Sequence, residues 1–266
     1  MRYTRQGVSL EYDDIGNGVP LLLIHAFPLD RTLWRTQIAG LQQQYRLIAP
    51  DLRGFGQSSD TDGEAVSMEQ YADDMKALLD SLNVKQAVLG GISMGGYIAL
   101  AFIAQYADRV KGLILANTRA VADTEDNRRT RLTNAQIVQQ NGTAFLVEAM
   151  APKMLGPSAK SEIAIAVRSM MTRQRSLGVR SALLGMAARP DRTNLLRFIT
   201  VPTLIITGSA DLLVPPDDSE AMHNLIPNSQ LVTIPDAGHL SNLDKADAFN
   251  DAVREFHSRI VNSSTG

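Results

Sequence analysis

Short apolar runs bounded by glycine, proline or asparagine recur along the chain and predict buried β-strands. The run VPLLLIHAF, residues 19–27, has no polar face, which is typical of a strand covered on both sides. Further runs of this kind occupy residues 45–51, 84–91, 110–117, 201–208 and 229–236. Residues 8–18 instead alternate apolar and polar positions up to a glycine-rich turn, which predicts an edge strand.

Helical periodicity occupies the stretches between these runs. Residues 67–82 begin with Ser67 and Gln70, spaced as in a capping box, and carry apolar positions along one face. Residues 245–260 also predict an amphipathic helix, with four apolar side chains on one face: Phe249, Val253, Phe256 and Ile260. Because strands alternate with helices, we expect an α/β fold, with a mostly parallel central sheet flanked by helices.

The alternation stops at residues 119–195, where helix-like segments follow one another without a strand pattern. Gly142, Gly178 and two proline-containing pairs, 156–157 and 189–190, are expected to separate these helices. We therefore predict a helical lid inserted above the carboxyl edge of the sheet. The predicted division is a core, residues 1–118 and 196–266, and a lid, residues 119–195.

Composition and charge are those of an ordinary globular protein. Hydrophobic residues make up 44% and charged residues 20%, and 26 basic residues nearly balance 28 acidic ones. We therefore expect neither nucleic-acid binding nor attachment to a membrane, and the sequence does not specify an oligomeric state. Cysteine is absent, which excludes disulfides, thiolate metal ligands and thiol nucleophiles. Because the N-terminus lacks the apolar core of a signal peptide, we expect a cytoplasmic protein.

Ser93 is the first candidate for chemistry. It lies in GISMG, residues 91–95, which matches G-x-S-x-G between a predicted strand and a predicted helix. A serine on such a tight turn projects its hydroxyl above the sheet, while flanking glycines let strand and helix approach. The alternative is a glycine-rich turn or a phosphate loop, but neither G-K-[ST] nor G-x-G-x-x-G accompanies it. We therefore predict that Ser93 is a nucleophile.

A serine nucleophile needs a base, and the chain has four histidines. His223 and His257 lie within helical patterns, and His25 precedes the first loop of the predicted sheet. His239 differs because it follows the last buried strand, where a loop side chain overhangs the carboxyl edge of the sheet. We predict His239 as the general base, with a structural loop histidine as the alternative.

The base in turn needs a carboxylate that orients it. Asp211 lies in the loop after the predicted strand at residues 201–208, and it gives the chain order serine, aspartate, histidine. Asp236 is better interpreted as a turn residue, and the aspartates at 217–218 follow two prolines as at a helix cap. Asn117, after another predicted strand, cannot be an anion. We therefore predict Asp211 as the acid.

A serine that attacks a carbonyl group also requires donors for the developing oxyanion. The backbone N–H of Met94 follows the predicted nucleophile, and that of Phe27 lies in the loop after the first buried strand. We predict that these two groups form the oxyanion hole. This set of residues implies no metal and no organic cofactor.

Several motifs together resemble those of the α/β-hydrolase superfamily, over nearly the whole chain. HAFP at residues 25–28 resembles its H-G-x-P motif, and DLRGFGQS at 51–58 resembles its D-x-R-G-x-G-x-S turn. Residues 208–215 resemble its G-x-x-D-x-x-x-P acid loop. Within the superfamily, the lid and residues 186–202 are similar to the 3-oxoadipate enol-lactonase branch and its esterase neighbours.

This resemblance implies a serine hydrolase of carboxylic esters or lactones in which Asp51 and Arg53 are structural. The sequence departs from the first motif at Ala26, where glycine is usual and a positive φ would be costly. Haloalkane dehalogenases and epoxide hydrolases resemble the lidded architecture too, but they use aspartate where Ser93 stands. Epoxide hydrolases also need lid tyrosines, and residues 119–195 contain none.

The predicted lid carries candidates for substrate recognition. We expect Met150 and Met154, together with His25 and Trp34, to line the substrate pocket, although packing within the protein is the alternative for each. Residues 119–192 contain ten arginines and two lysines against six acids, a net charge of +6 that leaves −8 for the rest. This excess is either a solvated basic face or a bias toward substrates that carry a carboxylate.

We therefore expect an esterase or lactonase whose partner is a small-molecule substrate and whose reaction passes through an acyl-enzyme. Two alternatives stay open at this point. A carbon–carbon bond hydrolase or a cofactor-free perhydrolase would use the same three residues. A small-molecule receptor on the hydrolase fold would bind without catalysis.

Overall fold

An eight-stranded sheet forms the centre of the protein, whose computed structural model describes residues 1–5 and 7–262. In chain order the strands are β1 Arg2–Arg5, β2 Val8–Ile15, β3 Val19–Ile24, β4 Tyr45–Pro50, β5 Ala87–Ile92, β6 Val110–Ala116, β7 Thr203–Gly208 and β8 Ser229–Ile234. Their order across the sheet is β1-β2-β4-β3-β5-β6-β7-β8. The pairs β1–β2 and β2–β4 are antiparallel, and every pair from β4 to β8 is parallel. The prediction of a mostly parallel sheet is confirmed.

Eleven α-helices connect and cover the strands within the described residues. They are α1 Arg35–Leu41, α2 Met68–Ser81, α3 Met94–Gln105, α4 Glu125–Asn141, α5 Ala144–Met150, α6 Ser161–Thr172, α7 Ser176–Ala187, α8 Thr193–Leu196, α9 Pro216–Leu225, α10 Ser241–Asp244 and α11 Ala246–Asn262. The capping box predicted for α2 is present, because the Ser67 hydroxyl accepts from the Gln70 N–H and the Gln70 side chain accepts from the Ser67 N–H.

The strand side chains divide between two apolar clusters, one on each face of the sheet. In β3, Leu22 and Ile24 join the cluster under α2, α3 and α9, while Leu21 and Leu23 join the cluster under α1 and α11. The four apolar residues predicted on the last helix are all buried in the second cluster: Phe249, Val253, Phe256 and Ile260. A continuous apolar strand therefore identifies a sheet that is covered on both faces.

The carboxyl edge of the sheet is where the connections reverse direction. From β3 the chain passes to β4 on one side and later to β5 on the other. The loops that follow β3, β5, β6, β7 and β8 consequently emerge side by side at one edge. Such a reversal opens a crevice outside the carboxyl ends of parallel strands.

Two sequence predictions are wrong. β2 is not an edge strand, because residues 2–5 form β1 on its outer side, and this short polar segment has no alternation to detect. Gly178 does not separate two helices but lies within the first turn of α7. A Cβ there would collide with the backbone of Gly54, so the position needs glycine for a close approach to the core.

Helices α4 to α8 follow one another between β6 and β7, as the absence of a strand pattern predicted. Helix α7 rests directly on the core, because Gly178 faces Gly54 and Gly185 faces the carbonyl oxygen of Val66. A further contact brings Gly156 against the turn before His239. The division into a core and a lid domain stays a prediction, and we call residues 119–195 the helical segment below.

Ion pairs join the helical segment to the core. Each of its ten arginines has an acidic partner, and five of these partners belong to the core: Asp218 for Arg119, Asp30 for Arg173, Asp60 for Arg175, Glu64 for Arg180 and Glu69 for Arg192. Asp30 is buried, which alone would raise its pKa, but hydrogen bonds from Arg173 and Thr32 hold that pKa well below its ordinary value. Half of the arginines that give the helical segment its positive charge therefore pair with acidic residues of the core.

Replacing Gly185 with alanine should destabilise the protein, although alanine is favoured over glycine inside helices by about 1 kcal/mol. A Cβ would collide with the carbonyl oxygen of Val66, and overpacking of this kind costs about 1–3 kcal/mol. We expect a lower urea midpoint by circular dichroism. The control is Ile165→Ala in α6, where the side chain is 68% exposed and the midpoint should stay constant. A higher midpoint for Gly185→Ala would contradict the close contact of α7 with the core.

Candidate active site

Ser93 occupies a strained turn between β5 and α3. Its backbone has φ 55° and ψ −115°, a positive φ that is costly for any residue with a side chain. The Ser93 N–H donates to the carbonyl of Ala116 at 3.0 Å, and the Ser93 carbonyl accepts from the Thr118 hydroxyl at 2.8 Å. Strand β6 and the loop that follows it therefore hold the turn in place.

Glycines beside Ser93 make the turn sterically possible. A Cβ at Gly91 would collide with the carbonyl of Gly95, and one at Gly95 would collide with the carbonyl of Ile24. A Cβ at Gly96 would meet the side chain of Thr118. The GISMG pattern predicts a close approach of strand and helix, and the contacts between β5 and α3 confirm it.

Asp211 and His239 form a buried pair across the loops after β7 and β8. The Nδ1 atom of His239 lies 2.9 Å from Oδ2 and 3.1 Å from Oδ1 of Asp211. The N–H groups of Leu213 and Val214 donate to Oδ1 at 2.8 and 3.0 Å. The Asn117 amide donates to Oδ2 at 2.9 Å. Every partner of the carboxylate is thus a donor.

The charge of Asp211 follows from these bonds. Burial alone would raise the pKa of the carboxyl, but the hydrogen bonds from His239, Val214 and Asn117 outweigh burial and hold that pKa below its ordinary value. An ionised carboxylate only accepts hydrogen bonds, so the proton between the two residues belongs to Nδ1 of His239. In the neutral ring, Nε2 is then an acceptor, which is the form that a general base requires.

A cavity of about 210 Å³ lies between the carboxyl edge of the sheet and the helical segment. Ser93, His239 and Phe27 all line this cavity, so the predicted nucleophile, the predicted base and one of the two residues predicted to form the oxyanion hole share one space. The apolar part of the wall comes from both sides of the cavity: Tyr97, Leu146, Met150, Leu183, Met186, Leu213 and Val214. Met94 starts α3 directly after Ser93, and its side chain is buried in the core.

Of the four residues predicted to line the substrate pocket, only Met150 does so. Met154 is buried in the apolar cluster under α1 and α11, because a flexible thioether fills gaps in a core. Trp34 is buried in the same cluster and packs against Phe249 at 6.4 Å between ring centroids. Both side chains therefore pack in the core on the other face of the sheet and do not line this cavity.

His25 is also absent from the wall of this cavity. Its ring is fully buried: Nε2 accepts from the Leu52 N–H at 3.1 Å, and Nδ1 lies 2.9 Å from the Ala26 carbonyl. Burial lowers the pKa of His25, so the ring is a neutral link between the loop after β3 and the turn after β4. Ala26 lies outside the positive-φ region, so its departure from glycine costs no backbone strain.

The turn after β4 is held by its own acidic residues. The Asp51 carboxylate accepts from the backbone N–H groups of Arg31 and Gln57, both at 2.8 Å. Arg53 pairs with Asp74 on α2. These contacts lie within the core and agree with the structural roles that the resemblance implies.

The sequence prediction missed the polar wall of the cavity. One face of α4 supplies it at the spacing i, i+3, i+4 and i+7: Asn127, Thr130, Arg131 and Asn134. The same spacing that identifies an apolar helix face would have found this polar one. Without the fold, however, nothing distinguishes a polar face on a cavity from a polar face in solvent.

Charges on the cavity wall are largely paired. Asp123 lies between Arg131, at 2.5 Å, and Arg189, at 2.8 Å, and Arg189 covers the Tyr97 ring at 4.2 Å. Burial alone would raise the pKa of Asp123, but bonds from Arg131 outweigh it and hold that pKa below its ordinary value. Arg119 donates to the Leu213 carbonyl at 2.8 Å, and its Nε has no hydrogen-bond partner among the described residues.

Other features of the described chain do not contribute to this site. His223 bonds to Ser229, and the His257 ring lies edge-on against Tyr45. In residues 1–5 and 7–262, no group of three or more histidine, aspartate or glutamate side chains is arranged to hold a metal ion. None of the helices in those ranges combines the length and apolar character needed to cross a membrane.

Comparisons with known proteins agree with this architecture. A family model for the alpha/beta hydrolase fold matches residues 19–246. The chain is 32% identical to 3-oxoadipate enol-lactonase 1 of Acinetobacter baylyi over 250 residues, 92% of this chain and 91% of that protein. A thermophilic esterase from Thermogutta terrifontis, solved with malate bound, superposes with a TM-score of 0.95 at 40% identity, over 98% of this chain and 99% of that one.

The enol-lactonase from Burkholderia xenovorans superposes with a TM-score of 0.89 at 27% identity, over 97% of this chain and all of that one. The family match covers most of the chain, and the motifs identified from the sequence lie within it. The protein therefore belongs to the alpha/beta hydrolase fold family.

Proposed function

We propose that this protein hydrolyses carboxylic esters or lactones through an acyl-enzyme formed on Ser93. The observation that carries the proposal is the shared cavity: Ser93 and His239 both line it, and Nδ1 of His239 bonds to the buried carboxylate of Asp211. A serine, a neutral imidazole and an ionised carboxylate in this relation are the groups that activate a hydroxyl for acyl transfer. The esterase and enol-lactonase names of similar proteins support the same reaction class.

In the proposed reaction, the Ser93 oxygen attacks the acyl carbon while Nε2 of His239 accepts the hydroxyl proton. The carbonyl oxygen becomes an oxyanion that accepts from the backbone N–H groups of Met94 and Phe27. His239 then donates its proton to the leaving alkoxide, which leaves an ester on Ser93. Water attacks that ester with His239 again as the base, which releases the acid and restores the serine.

The size and lining of the cavity favour small substrates. A volume of about 210 Å³ is below the range of about 300–1,000 Å³ found for drug-sized ligands. The apolar wall suits an acyl chain, whereas the face of α4 offers the amides of Asn127 and Asn134 to a polar end group. We therefore propose short acyl groups that carry a polar or charged terminus.

A carboxylate is the charged terminus that we propose. Two arginines line the cavity against one aspartate, and that aspartate already binds Arg131. Of the two arginines, Arg119 has the longer ion pair, because its acidic partner Asp218 lies 3.6 Å away. A hydrogen bond from a guanidinium to a carboxylate is among the stronger ones in proteins. The similar esterase from Thermogutta terrifontis was solved with malate, a dicarboxylate.

Replacing Ser93 with alanine should remove the nucleophile and lower kcat for p-nitrophenyl esters by about 10⁴-fold or more. Wild type should also be labelled by a fluorophosphonate, and Ser93→Ala should not. Ser81→Ala in α2 is the control and should behave as wild type, because its hydroxyl bonds only to its own helix at Leu78. If wild type neither turns over esters of any acyl length nor reacts with the fluorophosphonate, the proposed function is wrong.

A carboxylate on the acyl chain should improve binding. We expect the KM for mono-p-nitrophenyl adipate to be about tenfold below that for its methyl ester at low salt, because a hydrogen bond to a charged group contributes about 1.5–3 kcal/mol. Arg119→Gln should remove this difference by raising the KM of the acid, whereas Arg128→Gln, on an exposed position of α4, should retain it. Equal kcat/KM values for the two esters with wild type would contradict the carboxylate proposal and leave the esterase proposal intact.

A further inference from the structure

Asn117 occupies the position directly after β6 and is fully buried beside Asp211. Its amide nitrogen donates to Oδ2 of Asp211 at 2.9 Å and to the carbonyl of Gly238 at 3.2 Å. Its amide oxygen accepts from the Ser241 hydroxyl at 2.6 Å. Both amide protons and the oxygen therefore have partners, and the two acceptors belong to the acid and to the residue before the base.

We infer that Asn117, oriented by Ser241, is a positioning residue that fixes Asp211 relative to His239. The inference rests on the proposed function, in which these two residues are the acid and the base. One amide bonds to both the loop after β7 and the loop after β8, beside a backbone hydrogen bond from Ala210 to Ala237, and it is the group that contacts the Asp211 carboxylate itself. Neither the sequence motifs nor the family match assigns a role to Asn117 or Ser241.

The orientation of the amide follows from its neighbours. If the amide were rotated by half a turn, its oxygen would face the carboxylate of Asp211 and its nitrogen would face Ser241. Two acceptors in contact would leave the buried carboxylate without this donor, which costs more than a neutral hydrogen bond contributes. The Ser241 hydroxyl donates to the oxygen and favours the orientation that presents N–H to Asp211.

The backbone of Asn117 offers a competing explanation for the residue. Its φ is 44°, and asparagine tolerates this left-handed conformation better than most residues. Glycine would serve the backbone equally well, so Asn117→Gly removes the amide without adding strain. This substitution therefore separates the role of the side chain from the role of the backbone.

Loss of the amide should change how Asp211 acts on His239. The Asn117 hydrogen bond is one cause of the lowered pKa of Asp211, so its removal should raise that pKa and leave more negative charge on Oδ2. That oxygen lies 2.9 Å from the His239 ring and would stabilise its protonated, inactive form. The fall in activity at low pH should then begin at a higher pH.

Other charges near His239 are the same in every variant. They are Asp244, which accepts from the Gly238 N–H at 2.7 Å, Asp236 in the preceding turn, and Arg119, Asp123 and Arg131 on the cavity wall. A shift between wild type and a variant at position 117 therefore reports the amide itself. Asn117→Asp keeps the shape of the side chain but places a second carboxyl beside Asp211, and this should give the larger shift.

The test compares Asn117→Gly, Asn117→Asp and Ser241→Ala with two controls. Asn250→Ala removes a buried asparagine that bonds to Gln37 and Thr36 in the core, and Ser219→Ala removes a buried serine of α9. Both controls should lower stability at most. The readouts are kcat, KM and the pH–rate profile, together with the low-field proton NMR signal of the His239 Nδ1–H, assigned by its loss in His239→Ala.

We expect Asn117→Gly to lower kcat by about tenfold or more with KM nearly constant, since a donor to a charged group is lost. The acid limb should move to higher pH, by about one pH unit for Asn117→Asp, and the NMR signal should shift in both variants. Ser241→Ala should show the same changes more weakly. If Asn117→Gly folds and retains the wild-type acid limb and NMR signal, the inference is wrong. The NMR comparison needs no turnover, so it distinguishes this failure from a failure of the proposed function.

Discussion

The buried carboxylate of Asp211 is the constraint on which the candidate site depends. An ionised group in the interior is tolerated only when donors surround it, and here they come from three loops. The loop after β7 contributes its own N–H groups, the loop after β6 contributes Asn117, and the loop after β8 contributes His239. Because parallel strands end at one edge, loops that are far apart in sequence meet around one charge. The sheet order therefore explains how the proposed acid and base come together.

Charge also determines how the helical segment rests on the core. Ion pairs at the surface contribute only about 0–1 kcal/mol each, so the five pairs between the two parts select an orientation more than they supply stability. Asp30 differs because it is buried, and its partner Arg173 cannot be removed without leaving that carboxylate unpaired. The glycine contacts of α7 bring the backbone of this helix against the backbone of the core. The ion pairs then favour one orientation of the helical segment on the core. The cavity is the space that this arrangement leaves above Ser93.

Much of the fold follows from local pattern, because a strand buried on both faces is a continuous apolar run and a helix buried on one face repeats its apolar positions every three to four residues. Turn chemistry and positions after predicted strands predict Ser93, Asp211 and His239 as nucleophile, acid and base, and the structure places the three at one edge of the sheet. The cavity wall was not predictable in this way. Whether Met150 lines a cavity and Met154 fills a core depends on the packing of helices whose relative positions no local pattern encodes. For Asn117 the sequence indicates only that the side chain cannot be an anion. The partners of its amide, Asp211 and Ser241, are distant in the sequence, so no local pattern predicts these hydrogen bonds.

Backbone strain is concentrated where the proposed chemistry lies. Four residues other than glycine have positive φ in the described chain, and three of them follow strands at the carboxyl edge: Ser93 after β5, Asn117 after β6 and Asp236 after β8. Such conformations cost of order 1 kcal/mol or more each and persist only where surrounding contacts hold them. At Ser93 the contacts come from β6 and its loop, and at Asn117 they come from Ile206, Asp211 and Ser241. Because the strands before these turns end at one edge of the sheet, adjacent loops hold the strained turns side by side there.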